Sequence, residues 1–154
     1  MTYEQILSKL TALCSRSEHC CHDIKEKLRR WEIDETTSQK VIDYLKKEKY
    51  IDDSRYARFF VNDKVKFNKW GRRKVEQALR MKGIVEEDYE EALSSVEDAD
   101  YESVLQPLLK SKMKSVKAKN DYEFRMKLIR FALGRGFSYE QITRSLDNLL
   151  ANKA

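Results

Sequence analysis

One short pattern occurs three times in this chain and limits the folds that it can adopt. Residues 28–33, 79–84 and 132–137 each begin with an apolar residue, contain an arginine and end in Ile or Phe, and their starts lie 51 and then 53 residues apart. Periods of this size are typical of supersecondary units that stack, each covering its neighbour's apolar face. The sequence predicts an all-α fold of three tandem three-helix repeats in an elongated body. The predicted repeats are residues 1–51, 52–99 and 100–154.

Composition supports helices and gives an expectation for the compartment. Four glycines and one proline are few for 154 residues, and good helix formers fill much of the chain. No basic segment precedes an apolar core at the start, so we expect no signal peptide. No apolar run approaches the roughly 20 residues of a membrane span. Three cysteines, two of them adjacent, make a poor disulfide framework. We therefore expect a cytoplasmic protein with reduced thiols.

Helix starts can be placed by their capping residues. The patterns Thr2 with Gln5 and Ser138 with Gln141 predict capping boxes, in which side chain and backbone satisfy each other's polar groups. Carboxylates also accept hydrogen bonds from the free amides of a first helical turn. On this ground the sequence predicts three further N-caps, at Asp34, Asp53 and Asp121.

Apolar spacing predicts which faces are buried. After Asp53, the positions of Tyr56, Phe59 and Phe60 place all three on one inward helical face, and Phe67 is a candidate to continue it. Pro107 lies inside a helical pattern of the third unit, where it removes one backbone donor and is expected to kink the helix unless it falls in the first turns.

Charge is strongly segregated along the chain. Residues 55–83 hold ten Lys/Arg against two carboxylates, residues 84–106 hold nine Asp/Glu and no Lys/Arg, and residues 107–136 hold nine Lys/Arg against two carboxylates. Two basic zones thus flank an acidic one. Such asymmetry favours attraction to polyanions or to an acidic protein surface, although solvated helical faces also produce it.

The first basic zone supplies the main candidate binding site. Phe67 and Trp70 are interleaved with its cations and offer rings on which bases stack. In the alternative, Trp70 packs at the helix start and the charges only face solvent. A helix start this basic opposes its own dipole, which points to an anionic partner. The predicted residues here are Lys64, Lys66, Lys69, Trp70, Arg72, Arg73, Lys74, Arg80 and Lys82.

The second basic zone supplies two more sets. Near-alternating lysines at positions 110, 112, 114, 117 and 119 form either a helix extension or a basic loop. Downstream cations recur at spacings that place several on one exposed helical face. This set, also predicted to bind the partner or DNA, is Arg125, Lys127, Arg130 and Arg135.

Other chemistry is disfavoured. Cys14, His19, Cys20, Cys21 and His22 invite a zinc site, but zinc needs four converging ligands, usually from two separated pairs, and these lie within nine residues. The same residues offer a thiol and a base without an orienting third group. The glycines match neither phosphate-binding loop pattern. We expect no catalytic residue, no metal, no cofactor and no enzymatic activity.

Three stretches, spread from about Ser15 to Leu149, carry a resemblance to a known family. The first is residues 15–28, with Glu18-His19-Cys20. The second is residues 51–61, with Ile51-Asp52-Asp53-Ser54-Arg55-Tyr56-Ala57, and it continues in residues 70–73 and 79–84. The third is residues 127–131, which lead to residues 135–139. In this order and spacing they resemble the RecX family of bacterial regulators of the RecA recombinase.

The chain departs from the family pattern at three positions. Cys20 stands at an N-cap where Ser is usual, and a thiol is a weaker cap. Ala132 replaces a larger Leu, which leaves Phe131 and Leu133 to fill the space. Glu32 takes the place of the glycine seen in the other two units.

The resemblance implies a non-enzymatic modulator built as a curved, elongated array of three three-helix repeats. RecX-like proteins bind the RecA–DNA nucleoprotein filament along its groove and limit its growth and its recombinase and coprotease activities, in DNA repair and the SOS response. We expect a monomer whose partner is this filament, with direct contact to single- or double-stranded DNA and none to membranes. Two alternatives are a basic helical module that binds naked DNA and a helical scaffold for another protein.

Overall fold

A computed structural model describes residues 1–151 of the chain. This part of the chain contains nine α-helices and no strand, which confirms the all-α prediction. None of its helices has both the length and the apolar content to cross a membrane. The helices are α1 (Tyr3–Arg16), α2 (Cys21–Arg30), α3 (Glu35–Lys47), α4 (Asp53–Lys66), α5 (Arg72–Met81), α6 (Glu86–Ser94), α7 (Asp98–Met113), α8 (Asp121–Gly134) and α9 (Tyr139–Ala151).

The helices form three successive units, each with its own hydrophobic core. Ile24 and Leu45 are buried in the first core, Leu79 and Leu93 in the second, and Leu128 and Leu146 in the third. The surface is 9882 Å², whereas a compact protein of this mass exposes about 8100 Å². The excess is that of an array rather than a single globule. Cys20 and Tyr101 belong to the second core, so the boundaries at residues 51 and 99 stay predictions.

The repeated sequence pattern forms the same turn three times. The amides of Ile33, Ile84 and Phe137 donate to carbonyls five residues earlier, over 3.1, 3.2 and 3.3 Å. This bond closes a helix C-terminus whose next residue is left-handed, and φ at the residue before each amide is 56° at Glu32, 70° at Gly83 and 99° at Gly136. Glu32 therefore keeps the turn geometry that glycine serves elsewhere, at a conformational cost.

Helix starts follow the capping predictions with two shifts of one residue. Both capping boxes are present, and Asp34 accepts from the Thr37 amide. The cap of α4, however, is Asp52 rather than Asp53, and the cap of α8 is Asn120 rather than Asp121.

Asp53 instead caps a helix of the neighbouring unit. Its carboxylate accepts from the Cys21 amide over 2.8 Å, at the start of α2. Cys20, the N-cap of α2, makes no side-chain capping bond and is fully buried against the second unit. The weak thiol cap is therefore supplemented from across the junction between the first two units.

Two burial predictions are wrong, and the candidate Phe67 does not continue the buried face. Phe59 is 54% exposed, because Ala57 and Val61 face the core of the second unit instead, and Phe67, just past the end of α4, is 77% exposed. Leu133 is 40% exposed and does not fill the space beside buried Ala132.

Pro107 does lie inside α7, as its tenth residue, on the exposed side. The carbonyl left without its helical donor belongs to Ser103, an exposed residue, so water can replace the donor.

Candidate functional site

Two lysine side chains lie close to the aromatic ring of Trp70. The Nζ atoms of Lys64 and Lys74 lie 5.3 and 4.5 Å from the ring centroid, and Phe60 meets the ring edge-on at 6.4 Å between centroids. Trp70 is half-buried against the second core, so it does pack near the helix start, as the alternative held. Its face is nevertheless occupied by cations, an arrangement that cation–π attraction stabilises.

The start of α5 is closed by backbone from the third unit. The Gly71 amide donates to the Arg135 carbonyl over 2.7 Å, and the Arg73 amide donates to the Gly136 carbonyl over 3.1 Å. The free amides at the start of α5 thus donate to carbonyls at the end of α8. The positive end of one helix dipole faces the negative end of the other, which is favourable. This contact offsets the cost of a basic helix start. The basic helix start is therefore no argument by itself for an anionic partner, and that partner stays a prediction.

The same contact leaves no room for side chains on its glycines. A Cβ added to Gly71 would lie 2.5 Å from the Gly136 carbonyl carbon and oxygen, and one added to Gly136 would lie 2.4 Å from the Cβ of Lys74. The second and third units are held together by backbone at van der Waals limits. The backbones of the two units are consequently fixed relative to each other at this contact.

On the third unit, two more cationic side chains lie close to a second aromatic ring, that of Phe131. Lys112 Nζ lies 4.9 Å and Arg135 Cζ 5.1 Å from the centroid of Phe131. Arg135 also donates from Nη1 to the Asn68 carbonyl, 3.3 Å away in the loop before α5. Lys112 was outside the predicted set. The near-alternating lysines around it were the signal, and its approach to Phe131 depends on how α7 packs on α8.

A groove lies between the start of α5 and the end of α8, beside these clusters. The residues that line it are Arg73, Lys74, Glu76, Gln77, Leu133, Gly134 and Gly136. We call the combined region the junction surface, made up of Lys64, Trp70, Arg73, Lys74, Lys112, Phe131 and Arg135.

Six predicted residues form ion pairs within the protein, and one of them, Lys64, also belongs to the junction surface. These ion pairs indicate a structural role, because the charge of a paired cation is already partly neutralised within the protein. The pairs are Lys64 with Asp63 at 3.9 Å, Arg72 with Glu90 at 3.0 Å, Arg80 with Glu76 at 3.9 Å, Lys82 with Asp23 at 2.6 Å, Arg125 with Asp147 at 3.1 Å and Lys127 with Glu123 at 3.0 Å.

The pair of Asp23 and Lys82 shows most clearly how an ion pair shifts both groups. Burial alone would raise the pKa of the Asp23 carboxyl, but hydrogen bonds from Lys82 and Cys20 outweigh it and hold that pKa below 3.8. The hydrogen bond to Asp23 in turn raises the pKa of Lys82 above 10.5. The two shifts agree in sign with a stable ion pair.

The other predicted cations lack such partners. Within residues 1–151, no carboxylate forms an ion pair with Lys66, Lys69, Arg73, Lys74, Arg130 or Arg135, nor with Lys112. Of these, Arg73, Lys74, Lys112 and Arg135 belong to the junction surface. This surface therefore carries uncompensated positive charge on two rigidly joined units.

The four predicted cations of α8 and its end, residues 125, 127, 130 and 135, do not lie on one exposed face. Arg125 turns toward α9 to reach Asp147, and Lys127 Nζ donates to the Lys117 carbonyl over 2.6 Å. Arg135 faces the loop before α5, while Arg130 is exposed. The lysine tract is both a helix end and a connection, since α7 ends at Met113.

The cysteine and histidine cluster does not converge. Cys20 is buried in the second core and Cys21 in the first, and burial raises the pKa of the Cys20 thiol to about 12. A thiol with so high a pKa is a poor nucleophile at neutral pH. Among the described residues, no group of three or more His, Cys, Asp or Glu side chains is arranged to hold a metal ion.

Family models match the chain in tandem. The first three-helix domain of RecX matches residues 8–45, the second matches residues 52–93 and the third matches residues 100–146.

Curated relatives carry one common name, "Regulatory protein RecX". The protein of Clostridioides difficile is 32% identical over 96% of this chain and 69% of its own length, and that of Vibrio parahaemolyticus is 31% identical over 87% and 84%. The protein of Clostridium botulinum strain Eklund 17B is 34% identical over 77% of this chain. The chain covers only 56% of that relative's length.

Two solved structures share the fold. One, described as a crystal structure of regulatory protein RecX, aligns with a TM-score of 0.87 and 21% identity over 94% of this chain and 73% of its own. The other, of RecX from Lactobacillus salivarius, aligns with a TM-score of 0.83 and 21% identity over 96% of each chain.

Proposed function

The chain belongs to the RecX family of regulatory proteins, as its sequence predicted, and on this premise we propose that it binds the RecA–DNA filament and inhibits it. The proposed inhibition covers filament extension and the recombinase and coprotease activities. The protein acts as a monomer in the cytoplasm and by occupancy, without catalysis.

The observation that carries this proposal is the uncompensated charge of the junction surface. A nucleoprotein filament presents phosphates and acidic protein side chains in a repeating array. Cations that neutralise phosphates release condensed counterions, and this release drives binding. Arg73 and Arg135 can also grip a carboxylate or phosphate through two parallel hydrogen bonds.

Rigidity makes the same surface suited to blocking a groove. The backbone contact between Gly71 and Gly136 sets the backbone of Arg73 and Lys74 against that of Arg135. A partner that meets preset cations loses less conformational entropy on binding than one that must order them. Occupancy of a groove by such a body hinders the addition of protomers and the access of substrates.

A second candidate function is direct binding to naked DNA. Phe67 is 77% exposed between Lys66 and Lys69, and an exposed ring among cations can stack on an unpaired base. Binding of the natural protein to the assembled filament and to single- and double-stranded DNA, titrated against salt, separates the two functions. If affinity for the filament does not exceed affinity for naked DNA, the second function is the better account.

The decisive experiment follows DNA-dependent ATP hydrolysis by RecA as the purified protein is added. We expect slowing at or below one molecule per RecA protomer. Arg73→Glu/Lys74→Glu should raise the half-inhibitory concentration by about tenfold or more, because two phosphate or carboxylate contacts become repulsive.

A matched control reverses two exposed lysines of the first unit, Lys40→Glu/Lys47→Glu, and carries the same change in net charge. Its potency should stay within about twofold of the natural protein if charge acts locally. Equal losses in both variants would remove the junction surface from the mechanism. No slowing by the natural protein would overturn the proposed function itself.

A further inference from the structure

The two junctions between units are held by different kinds of hydrogen bond. The second and third units share backbone hydrogen bonds at Gly71 and Arg73, and Tyr101 of α7 is buried in the second core. Between the first and second units, by contrast, every described hydrogen bond uses a charged side chain of the second unit. These side chains are Asp53, Arg55 and Lys82.

The contacts of these three side chains are few and half-exposed. Arg55 Nε lies 2.8 Å from Glu18 Oε1, Lys82 Nζ lies 2.6 Å from Asp23 Oδ1, and the side chains of these pairs keep between 25% and 38% of their exposure. Pairs of this kind contribute little each and weaken as salt screens them. The ionic attachment of the first unit is therefore sensitive to ionic strength.

The docked arrangement also leaves one polar atom unsatisfied. Glu18 Oε2 is buried without a hydrogen-bond partner among the described residues, and such an atom opposes burial until water reaches it. The apolar part of the junction rests mainly on Cys20, which is fully buried in the second core. A short connection from α3 to α4 joins the units, and Lys49 in it has a φ of 60°.

We propose that the first unit, α1–α3, docks reversibly on a rigid body formed by the second and third units, and that ionic strength sets the docked fraction. This inference concerns the chain alone and does not depend on the proposed partner. It gives the array one movable joint, at residues 48–52, while the junction surface keeps its geometry. Undocking breaks the pairs at Glu18 and Asp23 and exposes Cys20.

Cys20 supplies a direct readout of undocking. The variant Cys14→Ser/Cys21→Ser keeps Cys20 as the single thiol, and its reaction with a disulfide reagent is followed under native conditions. We expect the rate to rise about threefold to tenfold between about 0.05 M and about 1 M NaCl, after correction by a free thiol in the same buffers. Lys82→Met in this background should give a similar rise at low salt and remove much of the salt response.

A control separates undocking from global unfolding. Arg144→Met removes the ion pairs of Arg144 with Glu102 and Glu140 in the third unit and should leave the labelling rate unchanged. Equal acceleration by Lys82→Met and Arg144→Met would mean that Cys20 reacts only through global unfolding, which overturns the proposal. A rate independent of both salt and Lys82 would overturn it as well.

Small-angle X-ray scattering of the natural chain tests the same inference without substitutions. The radius of gyration should increase and the distance distribution broaden as salt rises, because the undocked unit samples more positions. Unchanged curves across this salt range would show a rigid first junction and overturn the proposal.

Discussion

The amide of Gly71 donates to the carbonyl of Arg135 over 2.7 Å, and this bond joins the start of α5 to the end of α8. Two helices from different units thus meet end to end, with the positive pole of one facing the negative pole of the other. The contact is possible because neither Gly71 nor Gly136 carries a Cβ. The absence of two methyl groups therefore fixes the relative placement of the second and third units.

Gly71→Ala should destabilise the protein by about 2 kcal/mol or more, since its Cβ would meet backbone, which cannot move aside as a flexible side chain does. Urea denaturation followed by circular dichroism measures the loss. Gly134→Ala is the matched control, because no atom lies within 4 Å of the added Cβ and alanine is the better helix former. Equal stability of the two variants would contradict the steric account of the junction.

Glu32→Gly should stabilise the protein by about 0.5–1 kcal/mol. Glu32 has a φ of 56°, a left-handed conformation that costs a residue with a side chain about 1 kcal/mol relative to glycine. Gly83→Ala should show the reverse, a loss of about 1 kcal/mol, although nothing lies within 4 Å of its added Cβ. Thermal and urea denaturation report both changes. A loss of stability in Glu32→Gly would show that its side chain has a compensating contact.

Asp53→Ala should loosen the start of α2, a helix in a different unit from its own. The Cys21 amide loses its 2.8 Å acceptor, and loss of a cap costs about 1 kcal/mol. Amide hydrogen exchange detected by NMR should therefore quicken at Cys21. Asp52→Ala is the control, and it should quicken exchange at Arg55, whose amide Asp52 caps, with no effect at Cys21. The reverse pattern would mean that the two aspartates have been assigned to the wrong helices.

The stabilisation supplied by Asp23 should disappear in acid. Its pKa in the folded protein lies below the ordinary value of 3.8, so the stabilisation is complete above that value and is lost as pH falls through the lower, folded-state pKa. Urea midpoints for the natural protein and Asp23→Asn should differ at about pH 6 and approach each other as pH falls below the ordinary pKa of 3.8. A difference that grew on acidification would have the wrong sign for a lowered pKa.

Local sequence was sufficient for the repeated turn and nearly sufficient for the caps. The spacing that aligned Leu28, Leu79 and Ala132 also aligned their hydrogen bonds, because each turn is closed within six residues. The caps of α4 and α8 were misplaced by one residue because two capable side chains stand side by side. Backbone conformation decides between such neighbours, and Asp52 is the extended one, with φ of −155°.

Long-range pairing could not be predicted from local spacing. Arg72 forms an ion pair with Glu90, eighteen residues away. Lys82 forms one with Asp23, fifty-nine residues away and in another unit. Such contacts depend on how helices pack within a unit and how units stack, which periodicity does not specify. For the same reason the approach of Lys112 to Phe131 was missed, while the role of Arg73 and Lys74 in binding stays a prediction.

Tyr101 lies on the first helix of the third unit, yet its ring fills the second core and its hydroxyl donates to the Leu93 carbonyl. During translation the second core lacks one of its buried residues until this tyrosine has left the ribosome, whereas every buried residue of the first core has been added by Ile51. A nascent chain halted just before residue 101 would hold one finished domain and one with an open interior, exposed to chaperones and proteases.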